Sequence, residues 1–98
     1  MIAELKVFAD CTSKEPTKTY PIYQIPSHIQ AKLADLDIKV NKDMKAEEAI
    51  KELDKTFKIM IPKLTDEELA GIPLENKFEV LYAVTKEFNE LANEALKN

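Results

Sequence analysis

Few residues in this chain of 98 belong to the types that do chemistry, and their spacing works against each reaction they suggest. His28 is the only histidine. It stands in the first turn of an expected helix beside Ser27, with Cys11 far away in a polar loop, so a zinc or haem centre has too few ligands. An exposed first-turn residue is the expectation. Cys11, next to Thr12 and Ser13, has the make-up of a nucleophile but no base beside it, and an acidic-flanked loop does not favour the thiolate. The carboxylates Glu47 and Glu48, and the run Asp66 to Glu68, could suggest calcium or acid–base work. The first pair falls on a solvated helix face and the second is explained by capping, with no loop of alternating oxygen ligands nearby. A Gly-rich phosphate loop, a Cys-x-x-Cys pair and a Gly-x-Ser-x-Gly elbow are all missing from the sequence. The expectation is therefore no enzyme, with no catalytic residue, no metal and no cofactor.

The elements that would position such residues can be read next. At 45% hydrophobic and 33% charged, the chain has the material for one modest core and is expected to form a single domain over 1–98, with a β-hairpin region at 1–26 and a helical region at 27–98. Net charge is −4, and all 14 basic residues are Lys. The missing Arg removes the planar fork that reads guanine edges and clamps phosphates, which argues against nucleic acid as a partner. A lone cysteine cannot form an internal disulfide, the first twenty residues lack signal-peptide order, and no apolar run approaches the ~18 residues of a membrane span. A cytoplasmic protein, with no membrane partner, is expected.

Ile2 to Ala9 alternates, with Leu5, Val7 and Ala9 on one side and Glu4 and Lys6 on the other, as a half-buried strand does. Asp10 to Lys18 is polar and reads as a longer mobile loop, and Thr19 to Ile25 alternates again. The two runs predict an antiparallel hairpin in which Pro21, lacking an amide proton, confines its strand to an edge or a bulge. Ser27 and Gln30 have capping-box spacing at the start of a short helix carrying Ile29, Leu33 and Leu36. Asn41 or Asp43 is expected to cap a longer helix running to about Ile61, on which Ala46, Ala49, Ile50, Leu53, Phe57, Met60 and Ile61 fall within about 120°. Pro62 ends it. Thr65 to Glu68 is a second capping-box spacing, and Gly71 is expected to be a left-handed terminator.

From Pro73 the last helix runs through Leu74, Phe78, Leu81, Thr85, Phe88, Leu91, Ala92, Ala95 and Leu96. Val80, Val84 and Leu91 lie on a flank outside its main face, and Tyr82 lies beyond the opposite edge. The apolar arc approaches ~200°, twice what one core needs, so this helix must touch something on two sides. One possibility is two elements of its own fold. The other is a partner or self-association surface made of Val80, Val84, Leu91 and Tyr82 with Glu87 on its rim.

The hairpin from Leu5 to Ile25, the helix opened by Ile25-Pro26-Ser27, and the segments Leu64-Thr65-Asp66-Glu67-Glu68-Leu69 and Gly71-Ile72-Pro73-Leu74 before a long last helix together resemble the tail assembly chaperones of long-tailed, siphovirus-like bacteriophages and prophages. The resemblance spans nearly the whole chain, in layout and in short degenerate motifs. It implies a non-enzymatic protein that binds the tape measure protein and the tail tube protein during tail assembly, with no cofactor. It carries no contact residues over, so the candidate surface rests on the helical wheel. The acidic helical character also suits a small regulatory protein-binding module of antitoxin or anti-repressor type. A DNA-binding regulator is disfavoured by the missing Arg and the negative charge.

Overall fold

The computed structural model describes the backbone of residues 1–97 and the side chains of residues 1–94. The chain is mainly α with a short N-terminal β-hairpin: β1 (Ala3–Val7), β2 (Lys18–Ile22), α1 (Ser27–Val40), α2 (Ala46–Met60), α3 (Asp66–Ala70) and α4 (Leu74–Lys97). The strands pair antiparallel with Ala3 opposite Ile22, Leu5 opposite Tyr20 and Val7 opposite Lys18. Alternation then turns Leu5, Val7, Tyr20 and Ile22 inward, where all four are buried. The hairpin, α1 and α4 pack together and α2 packs on α1, closing one cluster that includes Leu5, Ile22, Leu33, Leu53, Phe57, Leu81 and Val84. No helix among the described residues is long and apolar enough to cross a membrane.

The two edges of the hairpin are treated differently. On β1, Glu4 and Lys6 turn their backbone groups outward, and the side-chain amide of Asn76 takes one from each: Lys6 N donates to Asn76 Oδ1 at 2.7 Å, and Asn76 Nδ2 donates to Glu4 O at 3.0 Å. A primary amide has the donor and acceptor of a peptide group, so one buried side chain stands in for a third strand. Farther along, Phe8 N donates to Gly71 O at 2.9 Å. On β2, Thr19 and Pro21 face Lys6 and Glu4 across the ladder and so turn their backbone groups to the other edge. Pro21 leaves that edge short of a donor, in the place the sequence assigns it.

Helix starts depart from the sequence expectations. Ser27 does not cap α1 and no capping box forms with Gln30; Pro26 occupies the cap position and its carbonyl accepts from Ile29 N and Gln30 N. The proline's fixed φ already sets the entry angle, and Ser27 becomes the first helical residue. α1 continues through Asp37 to Val40, with Ile29, Leu33 and Leu36 buried. Asn41 closes α1 instead of opening α2, its Nδ2 donating to Asp37 O at 2.8 Å. α2 starts after Lys45 without a side-chain cap, and Glu47 and Glu48 in its first turn favour the positive end of the dipole. Most of its stripe falls where the periodicity places it: Ala49, Leu53 and Phe57 are buried, and Ile50 and Met60 half-buried, whereas Ala46 in the first turn is exposed and Ile61, half-buried, lies just past the helix end. The loop expected over Asp10 to Lys18 spans residues 8–17, since Lys18 already belongs to β2, and it is folded on Asp10, whose Oδ1 accepts from Thr12 N at 2.8 Å and from Thr12 Oγ1 at 2.6 Å. These bonds hold the carboxyl below its ordinary range, the Thr12 hydroxyl contributing most.

Thr65 and Glu68 do form the expected capping box at α3. Glu68 also ties α3 to the hairpin: Tyr20 Oη donates to its Oε2 at 2.7 Å, and Lys18 Nζ lies 3.5 Å from the same oxygen. The Tyr20 hydrogen bond, then the Thr65 amide, hold the Glu68 carboxyl below its ordinary value of 4.5. With the folded value lowered, the unfolded chain takes up the proton more readily. Glu68 therefore adds stability fully above pH 4.5, and that contribution is lost as pH falls through the lower folded value. In thermal melts at a series of pH values, Glu68→Gln should differ most from the parent near neutrality and converge with it in acid. A difference that stays constant to pH 3 would disprove this.

Gly71 is not a left-handed terminator. Its φ is −87°, which any residue can adopt. What its missing side chain permits is contact with β1: a Cβ there would stand 2.8 Å from Phe8 O and 3.2 Å from Val7 Cγ1. Gly71→Ala should cost about 1–3 kcal/mol by overpacking, read as a lower urea midpoint at unchanged slope. A neutral result would mean that the end of β1 moves aside freely.

Candidate protein-docking surface on the last helix

The 24 residues of α4 span about 36 Å at 1.5 Å per residue, within a molecule whose longest dimension is 49 Å. Its first half is held on two sides, by α1 and by β1. Asn76, Lys77, Val80, Leu81, Val84 and Thr85 are all buried there. The wide apolar arc thus has an intramolecular explanation over this half.

Val80 and Val84 must accordingly be withdrawn from the candidate surface. They are 1% and 0% exposed and belong to the core, because the buried face of α4 is rotated toward them and away from Leu74, which is 45% exposed. Of the remaining candidates, Leu91 and Tyr82 are about half exposed and Glu87 is half-buried. Leu91 follows the azimuth of the core stripe, yet it is exposed because it lies two turns beyond Val84. At ~100° per residue, Glu87 lies within about 40° of Leu91, whereas Tyr82 lies on the opposite side of the helix. Tyr82 instead stacks on Phe78, ring centroids 6.1 Å apart at 22°, with Leu74 one turn before. The expected surface is therefore two surfaces. Ala95 and Leu96, which the sequence places on the helix's apolar side, carry side chains outside the described residues.

Beside Glu87, α4 and the end of the hairpin enclose a shallow depression of about 610 Å3, bordered by Met1, Ile2, Tyr23, Ala83, Glu87 and Glu90. Tyr23 and Met1 are the most exposed large apolar side chains among the described residues. Neither figures among the candidates read from the sequence. The signal for Tyr23 was present in the alternation of Thr19 to Ile25, which puts it on the same side as Thr19 and Pro21, away from the core.

The residues that first suggested chemistry stay apart. His28 is exposed in the first turn of α1 and Cys11 is exposed in the Asp10 loop. Among the described residues no three His, Cys, Asp or Glu side chains are grouped so as to hold a metal ion. Set against family models, characterised proteins and solved structures, the chain matches none.

Proposed function

We propose that this chain is a non-enzymatic tail assembly chaperone, acting in the cytoplasm of a bacterial host by binding the tape measure protein and the tail tube protein before the tube polymerises. The observation that carries the proposal is the surface on α4: a half-exposed Leu91 beside Glu87 and Glu90, with exposed Tyr23 and Met1 facing them across the depression. Holding an unassembled partner in solution calls for apolar area rimmed by charge, and this side of the helix offers both. The hairpin-then-helices layout, ending in a long helix, is the layout that the sequence resemblance implies.

Co-expression tests it. A tape measure protein from the same source should be insoluble when made alone and should stay in solution, eluting with the chain in size-exclusion chromatography, when the two are made together. A tape measure protein that remains insoluble, or elutes separately, would refute the proposal. The tail tube protein is tested in the same way.

A further inference from the structure

We draw no further inference here: the strongest candidate, the apolar groove between the end of β2 and the end of α2, bordered by Tyr23, Ile29, Ile59 and Met60, is an unpartnered face, and nothing in the structure shows what covers it.

Discussion

Val84→Lys is expected to unfold the chain, and Leu91→Lys to leave its melting temperature within a few degrees of the parent. The two side chains lie two turns apart on one helix, and the sequence offers both as candidates for the same partner surface. Val84 is 0% exposed within the cluster that contains Leu5, Leu33 and Leu81. An ammonium group put there is stripped of water without a partner, at a cost of several kcal/mol, against a total stability of about 5–15 kcal/mol for a domain of this size. Leu91 is 52% exposed, and surface substitutions usually stay within about 0.5 kcal/mol. Circular dichroism melts decide it. If both variants melt normally, Val84 is not core; if both collapse, the end of α4 is covered in solution.

The second large effect is expected from Asp54→Ala. Lys77 lies on the buried face of α4, its side chain 6% exposed, and its ammonium stands 2.8 Å from Asp54 Oδ1 on α2. That cation is the only polar partner of the oxygen, so the pair is the one described link between α4 and α2 made by charge. Removing the carboxylate leaves a buried, uncompensated cation, which costs about 3–5 kcal/mol when both ions are fully buried. Asp54 keeps about a quarter of its exposure, at 27%, and water reaching it should hold the loss near 3 kcal/mol. Adding Lys77→Met should restore most of it, since an apolar chain of similar length then lies in the same place. Urea denaturation of the single and double variants measures this. A loss below about 0.5 kcal/mol in the single variant would place the pair with ordinary surface ion pairs.

What was legible in the sequence follows from what periodicity encodes. The hairpin, most of the stripe of α2 and the Thr65–Glu68 cap depend on neighbours within one element, and all three stand where their spacing puts them. The face of α4 depends on which elements lie against it. Leu74 and Val80 are equally apolar, and nothing local says that β1 covers one and solvent the other. Asn76 and Lys77 were illegible for the same reason: a polar residue on a helix reads as solvated until its partner, here a strand edge or Asp54, is known. Gly71 was read as a backbone conformation when its role is clearance beside Phe8 and Val7. Of the candidate surface, Leu91, Glu87 and Tyr82 could be found from the wheel, but their separation onto opposite sides, and the part played by Tyr23 and Met1, needed the hairpin in place.

The amide of Asn76 has a consequence for the company this chain can keep. A two-stranded sheet ordinarily exposes a row of unpaired donors and acceptors on each side, a template on which strands from other chains can add without limit. Here one side is finished by a side chain and a neighbouring carbonyl, and the other lacks a proton at Pro21. Strand addition is therefore hindered on the β1 side, and on the β2 side it meets one missing donor. A strand from another chain that approached β1 would have to displace the Asn76 amide and the Gly71 carbonyl before it could pair there.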